Sequence, residues 1–303
     1  MITVFGSLNV DYVFQMPVLP APGETLMASS LVVLAGGKGG NQALAAARAG
    51  ATVHMAGAVG DDGMGDIALA GLHGAGVNTD AVAAIHGPTG TASINVNGDG
   101  ENTIVVFPGA NAGASHTQLP SRGLVANDLL LLQMEIPVPE MAQMISHANR
   151  VAAKVVWNLA PMQAVDIELL RQVAILVVNE VELQQLGKHL GLPTDGTVAA
   201  LLAQVAEQTT NSVVLTLGAK GCLADHQGDQ IAVPALPIKP VDTVGAGDAF
   251  CGAFAAALDA GEPFPTALRW GCVAGSLACL KEGAQTALPS RDDISSHLPT
   301  LPN

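Results

Sequence analysis

The stretch Asp242-Thr243-Val244-Gly245-Ala246-Gly247-Asp248-Ala249-Phe250 sets a Gly-Ala-Gly turn directly ahead of a helix, because Ala249, Phe250, Ala253, Phe254 and Ala257 recur at helical spacing. The first amides of a helix lack intrahelical partners and carry partial positive charge, so such a turn suits an anion. Asp248 is a carboxylate in that same first turn. Amides that hold a moving phosphoryl group, beside a carboxylate that takes the proton of an attacking hydroxyl, are the parts needed for phosphoryl transfer to an alcohol.

Outward from this turn, short apolar strands alternate with helical stretches. Ile2–Phe5, Thr52–Ala58, Asp128–Gln133, Lys154–Trp157, Ala174–Val178 and Ser212–Leu217 read as buried strands. An Ala-rich helix over Asn41–Arg48 closes at Gly50, and a second over Met64–His73 ends at Gly74 and Gly76. The alternation predicts an α/β fold with a parallel-rich central sheet and helices on both faces. Two stretches break the rhythm. Thr91–Val96 and Asn102–Phe107 flank the hairpin signal Asn97-Gly98-Asp99-Gly100, and Asp11–Leu34, punctuated by Pro17, Pro20 and Pro22, reads as extended. They predict a small antiparallel β lid, built from about residues 11–34 and 91–107, on one domain spanning 1–303. A further edge hairpin is expected over Leu223–Val233, and the Pro-rich tail Leu298–Asn303 is expected to fray.

With 49% hydrophobic and 13% charged residues, the 303-residue chain can bury a large core, but only 3% is aromatic, so Ala, Val, Leu and 34 Gly must build it. A formal charge of −14 excludes a general nucleic-acid or membrane-surface partner, since both want a basic face. An anionic substrate must then be met by local amides, a metal ion and a few basic side chains. Cys222, Cys251, Cys272 and Cys279 lie in apolar segments without a C-x-x-C pair, which predicts reduced, buried thiols. The N-terminus shows no basic leader, and no apolar run approaches the ~20 residues of a membrane span, so a soluble, cytoplasmic protein is expected.

Other clusters carry chemistry. Gly36-Gly37-Lys38-Gly39-Gly40-Asn41-Gln42 lets backbone amides approach a ligand, with Lys38 as a donor and Asn41 as both donor and acceptor; a plain turn with Asn41 as helix cap reads the same residues. It is not a Walker loop, because no Ser or Thr follows a Gly-Lys at the required place. Asn9 and Asp11, two apart on an extended segment, project together and suit adjacent sugar hydroxyls, or else serve a turn. Asn179 and Glu182 share the first turn of a helix, either as a cap or as a phosphate contact and an outer-sphere Mg²⁺ ligand. Thr216-Leu217-Gly218-Ala219-Lys220-Gly221 closes a strand with a turn that can border a nucleotide.

The pairing of the Gly36–Gln42 block with the Asp242–Asp248 block resembles the ribokinase-like (PfkB) family of sugar and nucleoside kinases. Gly6–Asp11, Pro22–Thr25, Gly60–Asp62, Asn102 with Pro108–Asn111, Gln133–Glu135, Asn179 with Glu182, Thr216–Gly221 and Gly283–Gln285 extend the likeness over nearly the whole chain in family order. The resemblance implies sugar contacts from Asn9, Asp11, Gly37, Lys38, Asn41 and Glu135, with Asp248 as general base and Gly245, Ala246 and Gly247 as the anion hole. It implies ATP contacts from Asn179, Thr216, Gly218, Lys220, Gly221, Gly247 and Cys272, and a water-mediated Mg²⁺ contact from Glu182. A monovalent cation, K⁺ first, is implied beside Asp242, Val244, Ala278, Lys281 and Gly283. Two positions depart from the family: Ala287 replaces a frequent serine at the cation, and Cys272 replaces a frequent histidine at the adenine.

The polar set Asn9, Asp11, Asn41 and Glu135, without an added basic cluster, suits an uncharged polyhydroxylated acceptor. D-Ribose is the first expectation; fructose, ketodeoxygluconate and nucleosides are the alternatives. A sugar sensor without catalysis is disfavoured by the intact Asp248 and Gly-Ala-Gly turn, and a metal hydrolase by the lack of an H-x-x-x-H or E-x-x-H cluster. The resemblance also implies a homodimer paired through the lids.

Overall fold

The structure, a computed structural model, describes residues 1–302. Asn303, the last residue of the expected frayed tail, lies outside them. The strands are β1 Ile2–Phe5, β2 Asn9–Gln15, β3 Ser30–Gly36, β4 Val53–Gly60, β5 Asn78–Ile85, β6 Gly90–Val96, β7 Asn102–Phe107, β8 Leu129–Leu132, β9 Lys154–Asn158, β10 Ile175–Asn179, β11 Ser212–Thr216, β12 Cys222–His226 and β13 Asp229–Val233. The helices are α1 Lys38–Arg48, α2 Gly65–Gly74, α3 Val138–Arg150, α4 Ile167–Leu170, α5 Glu180–His189, α6 Val198–Thr209, α7 Ala246–Asp259, α8 Phe264–Ala278, α9 Ala284–Ala287 and α10 Arg291–His297.

Nine strands form the main sheet in the order β13-β12-β11-β10-β9-β8-β1-β4-β5. Every pairing from β11 to β5 is parallel, and the edge strands β12 and β13 add the antiparallel pairs β11–β12 and β12–β13. Strands covered on both faces read as unbroken apolar runs. Leu129 and Leu131 face the core beneath α1, α2, α7 and α8, whereas Leu130 and Leu132 face the one beneath α3, α5 and α6. The edge strand β5 escapes the sequence reading because Asn78-Thr79-Asp80 at its start are polar and its burial is partial.

The chain builds outward from β1 in two directions, first to β4 and β5, then through β8 to β11. The strand order therefore reverses between β1 and β8, where the loops after adjacent strand ends diverge and leave a crevice.

The second sheet has the order β3-β2-β6-β7. Its outer pairs, β2–β3 and β6–β7, are antiparallel as expected of hairpins, but its central pair β2–β6 is parallel. The chain leaves this sheet after β3, passes through α1, β4, α2 and β5, and re-enters beside β2 by a crossover rather than a turn. The C-terminal tail is more ordered than expected: Leu298–Thr300 form a 3₁₀ turn and Leu301 is buried. Cys222, Cys251 and Cys272 are buried and all four cysteines are free.

Candidate active site

Polar residues, several of them singled out from the sequence, emerge at the carboxyl ends of the parallel strands. Ser7 and Asn9 follow β1, Gln133 and Glu135 follow β8, Asn158 ends β9, Asn179 ends β10 and Thr216 ends β11. They line the crevice at the strand-order reversal.

Helix α1 begins at Lys38, so Asn41 is its fourth residue and not its cap. Gly37 caps it at φ 84°, a left-handed conformation that favours glycine, and a Cβ there would come 2.9 Å from the Asn9 amide nitrogen. The loop is pinned from below. Glu135 Oε2 accepts from Ser7 Oγ at 2.6 Å and from the Lys38 amide at 2.9 Å, and Ser7 Oγ accepts from the Gly39 amide at 3.2 Å. Glu135, expected at the sugar, thus also anchors the Gly-rich turn.

Helix α7 begins after Gly245, whose φ of 76° makes the sharp entry, and Asp248 lies in its first turn, 7% exposed. Asn41 Nδ2 donates to Asp248 Oδ2 at 2.9 Å, and Gln42 Nε2 donates to Asp248 Oδ1 at 2.9 Å. Two helices 200 residues apart in sequence therefore meet on one carboxylate. Small side chains permit it: a Cβ on Gly252 of α7 would lie 2.7 Å from the Gln42 carbonyl oxygen and would overlap Ala45.

Asn9 is oriented by Asn111, whose Nδ2 donates to Asn9 Oδ1 at 2.7 Å while its Oδ1 accepts from the Leu8 amide at 2.8 Å. That leaves the Asn9 Nδ2 as the free end. Asp11 Oδ1 and Asn41 Oδ1 are buried without a partner. Buried acceptors are almost always satisfied, so two orphans in one crevice mark a place for hydroxyl donors. Burial first, then the Glu135 and Asp248 carboxylates, pushes Asp11 up to about 7, with Lys38 acting against them. Lys38 itself is raised, chiefly by Asp248 and against its own burial, so its ammonium is firmly charged.

On the far side of Asp248 a chamber of about 130 Å³ is lined by Lys38, Asn158, Glu182, Gly245, Gly247 and Cys251 among others. Asn179 and Glu182 form a reciprocal cap of α5: Asn179 Oδ1 accepts from the Glu182 amide at 2.9 Å, and Glu182 Oε2 accepts from the Asn179 amide at 2.8 Å. Glu182 caps the helix and also lines the chamber. Burial raises its carboxyl above the usual range.

The chamber opens at Thr216 and Gly247 into a cleft of about 510 Å³, walled by Gly218, Gly221, Pro237, Phe250, Gly271, Cys272 and Gly275 and by their neighbours. Lys220 is exposed and does not line it. Cys272 is 3% exposed and directs its thiol to Cys222 Sγ at 3.4 Å and the Val233 carbonyl at 3.7 Å, so it contributes apolar wall rather than a polar contact.

Beside the Gly-Ala-Gly turn, Asp242 holds two loops together. Its Oδ1 accepts from the Val244 amide at 3.0 Å and its Oδ2 from the Gly283 amide at 2.9 Å, while the Val241 amide bonds the Cys279 carbonyl at 2.8 Å. Ala278, Lys281 and Gly283 belong to or follow the end of α8 and border this junction. Among the described residues no cluster of three or more His, Cys, Asp or Glu forms a metal cage, and no helix is long and apolar enough to cross a membrane.

Sequence reading passed over the roles of Gln42, Gln133, Asn158, Ser7 and Asn111. Their signal was position: each is a polar residue at or just beyond an apolar strand or at a Gly-rich helix start.

The pfkB family carbohydrate kinase pattern matches residues 1–291. A ribokinase of Haemophilus influenzae is 35% identical over 303 residues, covering 98% of each chain. A ribokinase structure from Thermotoga maritima superposes with a TM-score of 0.89 at 32% identity, covering 98% of this chain and 99% of that one. An Arabidopsis thaliana ribokinase complexed with ribose and ATP superposes with a TM-score of 0.85 at 31% identity over 98% of each chain. A carboxylate beside a Gly-Ala-Gly turn, in a crevice shared by a polar chamber and an apolar cleft, is thus found in a chain that belongs to the pfkB family of carbohydrate kinases.

Proposed function

We propose that the protein transfers the γ-phosphoryl group of ATP to a primary hydroxyl of a free sugar, with D-ribose as the acceptor and ribose 5-phosphate as the product. The observation that carries this reading is the meeting of Asn41 and Gln42 on Asp248, with the unpartnered Asp11 and Asn41 oxygens nearby. Sugar hydroxyls would satisfy those oxygens and the free Asn9 Nδ2. The apolar cleft suits the adenine, and its narrow opening at Gly247 would lead the phosphates toward the first amides of α7.

A carboxylate cannot strip an alcohol of its proton in advance, because the two pKa values lie too far apart. Asp248 would instead orient the hydroxyl and take its proton as the new P–O bond forms. The Gly245, Ala246 and Gly247 amides would hold the charge on the transferred group, and the Lys38 ammonium would meet it from α1. Glu182 fits an Mg²⁺ contact through water, since its carboxylate faces the chamber with one oxygen kept by its own helix. Mg²⁺ would spread charge over the ATP phosphates.

A monovalent cation at the Asp242 junction would draw on backbone carbonyls, because both carboxylate oxygens already hold amides and Ala287 brings no hydroxyl. K⁺ would steady the anion turn through Val244 and Gly245. The exposed apolar residues of β7 and β3 support lid-to-lid pairing of two copies.

A panel of ribose, deoxyribose, fructose, ketodeoxygluconate and adenosine, assayed for ADP release with and without K⁺, tests the reading. Ribose should give the highest kcat/KM, and K⁺ should raise it. Sugar-independent ATP turnover, or a clear preference for another acceptor, would overturn the assignment.

A further inference from the structure

Gln42 is fully buried, and every polar atom of its side chain is engaged inside the protein. Its Nε2 donates to Asp248 Oδ1 at 2.9 Å and to Asn158 Oδ1 at 3.1 Å, and its Oε1 accepts from Gln133 Nε2 at 2.8 Å. The two ends of an amide are not interchangeable. A half-turn of this one would set its oxygen against a carboxylate and a second carbonyl, and its NH₂ against the NH₂ of Gln133. Asn158 cannot flip to compensate, because its own Nδ2 donates to the Val177 carbonyl at 3.1 Å. Only this orientation of Gln42 serves both Asp248 and Asn158; Gln133 donates to it from a side chain whose own Oε1 is buried without a partner.

Asn41, the other amide on Asp248, has its Oδ1 unpartnered toward the sugar site, so its orientation answers to the substrate as well as to the base. Gln42 answers only to the protein. Its donated N–H fixes the carboxylate plane of Asp248 before any substrate arrives.

We propose that Gln42 is a positioning residue of the transfer step: its amide, held by Asn158 and Gln133, donates to Asp248 and fixes the direction in which that carboxylate receives the acceptor's proton. This rests on the kinase reading above. Other titratable groups facing Asp248 are Lys38 at the start of α1, Asp11 on β2, Glu182 on α5 and Cys251 one turn further along α7. Substitution of Gln42 leaves all four in place.

The test is the pH profile of kcat with saturating ATP and the best sugar of the panel, for the native protein, Gln42→Glu, Gln42→Met and Gln133→Met. Melting temperature and ATP affinity are measured alongside, to separate folding from chemistry. In Gln42→Glu a second carboxylate abuts Asp248, and the pair shares a proton. Its acid limb should move up by at least about one pH unit, with kcat lowered about tenfold or more at pH 6.5 and recovering by pH 9. Gln42→Met removes the donor at similar volume and should move the same limb by less. Gln133→Met frees the Gln42 amide to rotate from a distance and should shift it in the same direction; it decides the matter if the Gln42 variants do not fold. Acid limbs that coincide with the native one, or a loss uniform across pH, would overturn the proposal. Native protein inert toward every sugar would instead sink the kinase reading, and this inference with it.

Discussion

At the residue scale the site is a set of carboxylates with unlike neighbours. Asp248 receives two amide donors, whereas Asp11 keeps a buried oxygen without one. We expect Asp248→Asn to lower kcat by at least about a hundredfold, with sugar and ATP binding little changed, as the loss of a general base requires. Equilibrium binding beside steady-state rates checks it; near-normal turnover would remove the assignment. Asp11 gives a pH prediction. Its folded pKa of about 7 stands above the usual 3.8, so the folded state holds this proton more tightly than the unfolded chain. Stability from this group is therefore present at low pH and is lost as pH rises from about 4 through 7, by roughly 2–4 kcal/mol at most. The unligated native protein should fall in melting temperature between pH 5 and pH 8 more steeply than Asp11→Asn. Sugar binding wants the ionised form as acceptor, so the KM for sugar should drop over pH 6 to 8 in the native protein and stay flat in Asp11→Asn.

At the scale of elements, the decisive contact is α1 against α7. Strand alternation and the Gly-rich starts of both helices are legible in the chain, but nothing in either segment says that they touch. The contact depends on Gly252 facing Ala45 and Ala46, where no side chain intervenes. Gly252→Val should force the helices apart, cost about 1–3 kcal/mol or more by overpacking, and lengthen the Asn41 and Gln42 bonds to Asp248. A variant that folds with normal kcat would show that this close approach is dispensable. Helix α5 behaves differently, since its cap serves the fold as well as the site. Asn179→Ala should cost about 1 kcal/mol in urea unfolding through the lost cap alone. The small sheet shows the limit of local reading: hairpin signals give its antiparallel outer pairs, but β2 beside β6 joins segments separated by α1, β4, α2 and β5, and its parallel sense follows from that crossover.

At the scale of the molecule, the small sheet bears an apolar surface that one copy leaves uncovered. Ile104, Val105, Val106 and Phe107 of β7 and Leu31 of β3 are each at least 50% exposed, and Val32 of β3 nearly as much. Sedimentation at micromolar concentration should give a dimer, and Val105→Glu should give a monomer by placing a charge within the proposed lid contact. The alternation of apolar runs and Gly-punctuated helices was determined by the sequence alone, because period and turn chemistry are local properties. The motif blocks likewise singled out Asp248, Asn41, Asp11 and Glu182 as candidates without coordinates. Only the tertiary structure decided which of them meet: that Gln42 shares Asp248 with Asn41, that Glu135 pins the Gly-rich turn, that Lys220 is exposed and that Cys272 turns toward Cys222. These contacts join residues up to 207 positions apart. Side-chain direction at such range is set by how two helices and a strand reversal pack together, and no local pattern in the chain encodes it.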